Sequence, residues 1–462
     1  MRLRASAITL VAAVSGCASV SPEGAFKGVQ SLARERLGHE IRWDRGEGGD
    51  KEANEVAERV SKLLSAPLST EAAIEVALLR HRGLQAIYED LGVAQADLVQ
   101  AGLLKNPRLG LGLDFPVEGN ASVGFGVSLV QEFLDLFLIP LRNRLAGRQL
   151  EEAQLGVVTA VLKHAGEVRK AWLLAVGTRH ELALLEEVND AQRAAAEISG
   201  RQHEAGNVDD LELVIQLDAS ESQRLVLARL QAESSLQTTR LARLMGLWGP
   251  ESELKLPERL PEVPAVDPDL SRLEARAIAE RLDLRAAFQR RDVLAYALSI
   301  ERGTRFIPAL ALGFDWKRES VEGIHVVGPT LGLELPIFDQ GRARVARLEA
   351  ELRRSERLLE DLATEVRTQI VLGCKRLVAG RALLDHQRSI LLPLRERIVQ
   401  ETQLKYNAMG VSVYRLLTAR QNQLSAYGDS IAAARDYWLA RADLDLAVGG
   451  MLDRTVSGPL AR

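Results

Sequence analysis

The sequence has few of the residues that build disulfide scaffolds, aromatic cores or membrane-spanning helices. Only two of its 462 residues are cysteine, too few for a disulfide-dense scaffold or a four-cysteine zinc site. Aromatic residues make up 4%, which fits an aromatic-rich β-sandwich poorly. The net charge of −4 provides no basic field to attract nucleic acid. Beyond the N-terminus, no run of about 20 apolar residues predicts a membrane-spanning helix.

Patterns that carry enzyme chemistry are also missing. None of the seven histidines pairs with another at the i, i+4 spacing of a helical metal site. The sequence has no Gly-x-Ser-x-Gly elbow and no phosphate-binding Gly-Lys-Ser/Thr loop. Cys374 follows Val366 and Ile370 on an apolar helical stripe, which predicts a packed thiol. The sequence therefore predicts no enzyme, no metal site and no cofactor.

The N-terminus has the layout of a bacterial export signal. Arg2 and Arg4 precede a short apolar stretch, as in a secretory signal peptide. The stretch ends in Val14-Ser15-Gly16-Cys17, which resembles the lipobox of bacterial lipoproteins. This resemblance implies that Cys17 is acylated and becomes the mature N-terminus. Because residue 18 is Ala and not Asp, it also implies transfer to the outer membrane.

The rest of the chain is an internal repeat with an offset of about 200 residues. In each copy a helical stretch ends at a proline, at Pro107 and Pro308. Two alternating segments follow, then a very long helical pattern, a Gly-containing turn and a returning helix. We divide the chain into a signal peptide (1–16), an anchored segment (17–66), a first repeat (67–249), a Pro-rich linker (250–269), a second repeat (270–450) and a tail (451–462).

The alternating segments predict four β-strands with one large apolar face and one small or charged face. The predicted strands are 108–115, 121–130, 309–316 and 326–335. In the first strand, for example, Leu109, Leu111 and Leu113 alternate with glycine or aspartate. A lipid-facing outer surface around a polar lumen uses this pattern. Four strands cannot close a membrane barrel alone, since the smallest have about eight, so closure would require several chains.

The long helical patterns predict an elongated body. They run from Pro140 to about Glu204 and from Gly341 to about Asn407. The first carries an apolar stripe at helical spacing: Ala153, Val157, Val161, Ala165, Val168, Trp172 and Ala175. A helix of about 60 residues is roughly 90 Å long, far longer than a compact globule needs. Pro393 lies inside the second pattern and should bend or loosen it.

Two motifs resemble those of the TolC-type outer-membrane factor family. The segment 332–342, Gly-Leu-Glu-Leu-Pro-Ile-Phe-Asp-Gln-Gly-Arg, looks like the strand-to-helix junction of that family. The segment 406–412, Tyr-Asn-Ala-Met-Gly-Val-Ser, is similar to its helix-hairpin turn, with the glycine displaced by one position. Arg415 stands where an acidic residue is common in the family, and the first-repeat junction is degenerate.

The resemblance assigns candidate site residues. At the junction they are Pro336, Phe338, Asp339, Gly341 and Arg342. At the hairpin turns, where an adaptor protein would dock, they are Ala205, Gly206, Asn207, Val208, Asp209, Asp210, Ala408, Met409, Gly410, Val411 and Ser412. The sequence alone allows simpler roles: Gly206 and Gly410 end helices in left-handed conformations, and Asp209 and Asp210 cap the next helix. A further hypothesis is that the two aspartates narrow a pore and attract cations.

The resemblance implies a mainly α protein with a membrane β-barrel. In that family, three chains form a twelve-stranded barrel in the outer membrane and an α-helical barrel that extends into the periplasm. The implied function is the exit duct of a tripartite efflux system, with an adaptor (membrane fusion) protein and an inner-membrane pump as partners. An acylated Cys17 fits the lipoprotein branch, which mostly serves pumps of the resistance-nodulation-division type. Two alternatives remain, the outer-membrane component of type I protein secretion and a lipid-anchored periplasmic coiled-coil protein.

Overall fold

The computed structural model describes residues 21, 23–45, 49–115, 123–132, 134–305, 310–318, 324–333 and 336–452. It is 75% helical with one small sheet, which confirms the predicted fold class. The helices are α1 Glu23–Leu37, α2 Gly49–Ser65, α3 Thr70–Arg80, α4 Arg82–Ala101, α5 Leu134–Glu204, α6 Asp210–Leu244, α7 Leu273–Glu280, α8 Leu282–Thr304, α9 Arg342–His386, α10 Leu392–Asn407 and α11 Val413–Val448. The strands are β1 Arg108–Asp114, β2 Gly124–Glu132, β3 Leu310–Arg318 and β4 His325–Leu333.

The four strands form one antiparallel sheet in the order β1-β2-β3-β4. Its register places large side chains opposite one another, as in the pairs Leu111–Val127 and Leu129–Phe314. Glycines also lie opposite small residues, as in Gly110–Ser128. The alternation seen in the sequence therefore separates the sheet into one large apolar face and one small-residue face.

The long helices match the predicted patterns except at their ends, and the second is loosened next to Pro393 as predicted. Helix α5 has 71 residues and begins six residues before Pro140, which it contains. The second pattern is interrupted by a π-turn at Gln387–Leu391, where the Leu392 N–H bonds to the Gln387 carbonyl. Proline lacks an N–H and its ring collides with the carbonyl four residues earlier, so a widened turn next to Pro393 is the expected response. None of the helices in the described part of the chain is long and apolar enough to cross a membrane.

The helix ends show that the repeat is conserved in backbone detail. Helices α6 and α11 both end on a glycine with positive φ, Gly246 (φ 75°) and Gly449 (φ 87°). In each case the residue after the glycine donates a backbone hydrogen bond back into the helix, Leu247 to Ala242 and Gly450 to Asp445. This is the Schellman arrangement of helix ends. The two glycines are 203 residues apart (449 − 246).

The described residues form two compact units, and each repeat contributes to both. The first unit lies within 1–29, 88–157 and 282–362 and contains the sheet. The second lies within 30–87, 158–281 and 363–462 and is helical. In the second unit Trp172 on α5 is buried and donates its indole N–H to the Leu68 carbonyl, at 2.8 Å. Around this bond the predicted α5 stripe (Val161, Ala165, Val168, Trp172, Ala175) is buried.

Candidate functional site

The first hairpin turn joins α5 to α6 through a left-handed glycine. Gly206 has a φ of 75°, and its N–H bonds to the His203 carbonyl at 2.8 Å. The next N–H, that of Asn207, reaches the Gln202 carbonyl at 2.8 Å. Asp209 then caps α6, because its carboxylate accepts the Glu212 N–H at 3.0 Å. The predicted helix-ending glycine and N-cap aspartate are therefore confirmed here.

The second turn has the same geometry with a different residue at the left-handed position. Met409, and not Gly410, has positive φ (57°), so the prediction for Gly410 is wrong. The Met409 N–H bonds to the Tyr406 carbonyl and the Gly410 N–H to the Lys405 carbonyl, both at 2.8 Å. These bonds repeat those of Gly206 and Asn207 with an offset of 203 residues (409 − 206). The fold thus fixes the left-handed position by its distance from the helix end, and the glycine stands one residue too late to occupy it.

Polar contacts stabilise the first turn and join it to the second hairpin. The Tyr414 hydroxyl on α11 donates to the Gln202 side chain on α5 at 2.8 Å. His203 contacts the Val208 carbonyl at 3.0 Å and the Asp210 carboxylate at 3.3 Å. The remaining turn residues are exposed apart from Val208 and Val411, which are half-buried. The two turns therefore present mostly backbone and small side chains, together with the exposed Met409.

The second strand-to-helix junction is a compact set of charged contacts in the first unit. The Asp339 carboxylate accepts the Gly341 N–H at 2.9 Å and a guanidinium N–H of Arg344 at 2.7 Å. These contacts, the backbone bond first, lower the pKa of Asp339. Arg344 also binds Glu301 at the end of α8 at 2.6 Å. Gly341 has a φ of 69°, and a Cβ there would lie 3.0 Å from the Cβ of Arg305, so this close approach requires glycine.

The other predicted junction residues flank these contacts. Arg342 is the first residue of α9, and Pro336 is half-buried just before the turn. Phe338 is 99% exposed. At the first junction, where the sequence motif is degenerate, Glu132 instead binds Lys105 at 2.7 Å and also contacts Arg108. Each junction thus uses one carboxylate, Asp339 or Glu132, to hold basic groups near the point where the strand ends.

The large apolar face of the sheet is exposed. Leu111 and Leu331 are 69% and 67% exposed, and other large apolar side chains are exposed in all four strands. On the opposite, small-residue face, Lys317 binds Asp114 at 2.8 Å. An exposed apolar face of this kind marks a site of contact with lipid or with another protein.

Other sequence predictions concern single side chains. Cys374 is half-buried, and burial raises the pKa of its thiol, as expected for a packing residue. Cys17 lies outside the described residues. Among the residues that the structure describes, no three His, Cys, Asp or Glu side chains cluster as metal ligands would.

A histidine pair was not foreseen from the sequence. The rings of His81 and His164 contact each other at a tilt of 35°, with centroids 4.1 Å apart, and His164 Nε2 lies 2.9 Å from the Leu244 carbonyl. Burial lowers the pKa of both imidazoles. At His81 the charges of His164 and Arg243 lower the pKa further, while Glu167 opposes them. The two residues are 83 positions apart, so no local pattern could have paired them.

Known proteins similar to the chain are outer-membrane proteins. No family model matches the chain. The pyoverdine export outer membrane protein OpmQ of Pseudomonas putida is 26% identical over 63% of the chain, and the match covers 66% of OpmQ, just under two thirds. The cobalt-zinc-cadmium resistance protein CzcC of Cupriavidus metallidurans is 22% identical, and the match covers 83% of the chain and 90% of CzcC. The crystal structure of the Campylobacter jejuni CmeC outer membrane channel superposes with a TM-score of 0.71 at 17% identity, over 87% of this chain and 88% of CmeC.

The fold of the chain is therefore the fold of solved outer-membrane channel structures. The chain is similar to outer-membrane efflux proteins, in agreement with the TolC-type resemblance of its motifs.

Proposed function

We propose that this chain is the outer-membrane exit channel of a tripartite efflux system. The observation that carries the proposal is the four-stranded sheet, because its large apolar face is exposed while its opposite face is small and polar. A surface of this kind suits lipid on the outside and an aqueous lumen inside. The long hairpins that follow the strands give the channel its periplasmic extension.

The working form is a homotrimer. Strands β1 and β4 each pair on one side only within the described sheet, so both edges are open to other chains. Three copies of four strands give twelve, an allowed size for a membrane barrel. Large apolar side chains are also exposed along α6 and along α9 and α10, including Val214, Leu225, Leu383 and Leu394. Contact between copies would cover these helix surfaces.

The lipid anchor is Cys17, and the position of α1 supports it. Helix α1 begins at Glu23, six residues after Cys17, so an extended tether spans about 20 Å. The Ala25 carbonyl accepts a hydrogen bond from Gln154 on α5 at 3.0 Å. Gln154 lies 20 residues into α5, which starts next to β2, so it is about 30 Å along that helix. A tether of this length would cover most of the distance back to the strand end of α5, which supports an acyl anchor on Cys17 near the level of the sheet. Replacing Cys17 with Ser should abolish labelling by radioactive fatty acid, and undiminished label would contradict the anchor.

The hairpin turns seat the periplasmic adaptor protein. Each turn lies where the long helical stretch that starts next to the strands ends and the returning helix begins. The exposed small residues Ala205, Gly206, Ala408 and Gly410 allow another helix end to approach the backbone. Photo-crosslinkers at Val208 and Ser412 should capture the adaptor, while one at Glu167, in the middle of α5, should not. Capture at Glu167 and at neither turn would place docking elsewhere.

The partner pump is an inner-membrane transporter of the resistance-nodulation-division type, by analogy with lipid-anchored members of the family. OpmQ is named for pyoverdine export and CzcC for cobalt, zinc and cadmium resistance, and neither name refers to protein secretion. This favours efflux over type I secretion. A purely structural coiled-coil protein consists of helices, so that alternative does not account for the exposed apolar sheet.

Deleting the gene tests the proposal as a whole. Cells without the protein should accumulate the substrate of the cognate pump, and the unaltered protein should restore export. Unchanged accumulation after deletion, in cells that carry no second channel, would refute the proposal.

A further inference from the structure

The two hairpin turns are built alike, yet they differ at the one backbone position that requires a left-handed conformation. The first turn fills that position with Gly206 and the second with Met409, at φ of 75° and 57°. In both turns the same two N–H groups bond back to the same two helix carbonyls. The two turns therefore share their backbone geometry and differ in the side chain at the left-handed position.

A methionine is a costly choice at this position. The left-handed conformation brings Cβ too close to the following carbonyl, so L-residues other than Gly, Asn and Asp seldom adopt it. The first turn demonstrates that glycine satisfies the same hydrogen bonds. A glycine is even present one residue later, as Gly410, where φ is not positive. Backbone strain of this kind is common at functional sites, so the left-handed conformation of Met409 indicates a role for its side chain.

The Met409 side chain has no structural role within the chain. It is 96% exposed, so it fills no core and covers no neighbour. Methionine is unbranched and polarizable, and it adapts to irregular apolar surfaces on a partner. Lys405 and Arg415, on either side of the turn, are also exposed and form no ion pair with any described residue. The second turn thus presents an apolar tip between two positive charges, while the first turn presents Asp209 and Asp210.

We propose that Met409 is the apolar anchor by which the second hairpin turn binds the adaptor, and that it distinguishes the two turns as docking sites. The inference rests on the proposed function, since it names the contact within the docking surface assigned above. The adaptor surface that fits Met409 is an apolar socket with an acidic rim, complementary to Lys405 and Arg415. A basic surface would be complementary to the first turn, which carries Asp209 and Asp210. Adaptor copies arranged around the channel would therefore meet two chemically different binding sites.

The test compares variants of the full-length purified protein in detergent for binding to the cognate adaptor. Met409→Gln keeps the length of the side chain and the strained backbone but removes its apolar character. Met409→Leu keeps the apolar character and the strain. Val266→Gln serves as a matched control, because Val266 is also highly exposed, at 82%, and lies in the linker. Burial of one methionine predicts that Met409→Gln weakens adaptor binding about tenfold or more, while Met409→Leu stays within about threefold.

The outcomes separate this inference from the function it rests on. Equal binding by Met409→Gln and the unaltered protein, with both binding well, would overturn the anchor and leave the channel proposal standing. Absence of adaptor binding by the unaltered protein would overturn both. Met409→Cys provides a second measurement, with a single-cysteine adaptor as the partner. Disulfide-linked dimers of this chain, with no link to the adaptor, would show that another copy of the chain covers Met409 and would refute the anchor.

Discussion

Replacing Gly246 with Ala should destabilise the protein far more than the same replacement at Gly206, although both glycines have a φ of 75°. A Cβ at Gly206 would meet nothing within 4 Å. A Cβ at Gly246 would lie 2.8 Å from the Arg80 carbonyl oxygen and 2.9 Å from the Cα of His81. These atoms are backbone, so they cannot rotate away as the end of a side chain would. Gly206→Ala therefore measures the free-energy cost of the left-handed backbone alone, whereas Gly246→Ala adds the cost of a steric clash.

The magnitudes follow from these two terms. An alanine in the left-handed region costs about 1–2 kcal/mol per chain, and this is the whole cost expected for Gly206→Ala. Overpacking against fixed backbone adds about 1–3 kcal/mol, so Gly246→Ala should cost about 2–5 kcal/mol. Gly449→Ala should fall between them, because its Cβ would lie 3.2 Å from Arg281 Cγ and 3.3 Å from its Cα.

The assay is guanidinium unfolding of the purified protein in detergent, followed by far-ultraviolet circular dichroism. Gly206→Ala is the matched control, since it shares both the substitution and the φ angle. Equal losses of unfolding free energy at Gly206 and Gly246 would refute the reasoning, because the approach of α6 to the Arg80–His81 backbone would then carry no cost.

Three further predictions concern the second turn, the sheet and the histidine pair. Met409→Gly should raise the free energy of unfolding by about 1 kcal/mol because it relieves left-handed strain, as the same guanidinium titration would measure. Leu111→Arg should cost about 2–4 kcal/mol in membrane assembly, whereas Gly112→Arg, with open space around its Cβ on the small-residue face, should assemble and be detected in the outer-membrane fraction. The folded pKa values of His81 and His164 lie below their ordinary value, so the unfolded chain binds protons first and stability should fall as the pH drops below about 6.5. Replacing both histidines with Gln should flatten that part of the stability–pH curve, and an unchanged slope would contradict the assignment.

Much of the fold could be predicted because it is recorded in local periodicity. Alternation of large residues with glycine identified the strands, and the apolar stripe through Val161 and Trp172 identified α5. Each of these signals lies within one helix or strand, so it can be recognised without knowledge of tertiary contacts. The disturbance at Pro393 was likewise predictable, since proline removes a helical hydrogen bond wherever the helix lies.

The misplaced prediction at the second turn has a physical cause. Glycine permits a left-handed conformation but does not demand it, and the hydrogen bonds at the end of α10 decide which residue must adopt it. The sequence shows Gly410, whereas the backbone places Met409 there. Contacts such as Tyr414–Gln202 and His81–His164 join residues far apart in the chain, and only the packed helices bring them together.

Extraction from the membrane tests whether this chain spans the outer membrane as an oligomeric channel, as proposed. Outer-membrane fractions are washed with salt, extracted in mild detergent and run on a gel with and without heating. We expect the protein to remain in the membrane fraction during the salt wash. Without heating it should migrate as a detergent-stable species of three times the chain mass, and heating should convert this species to the single chain. Release by salt as a monomer, with no heat-modifiable species, would contradict the account.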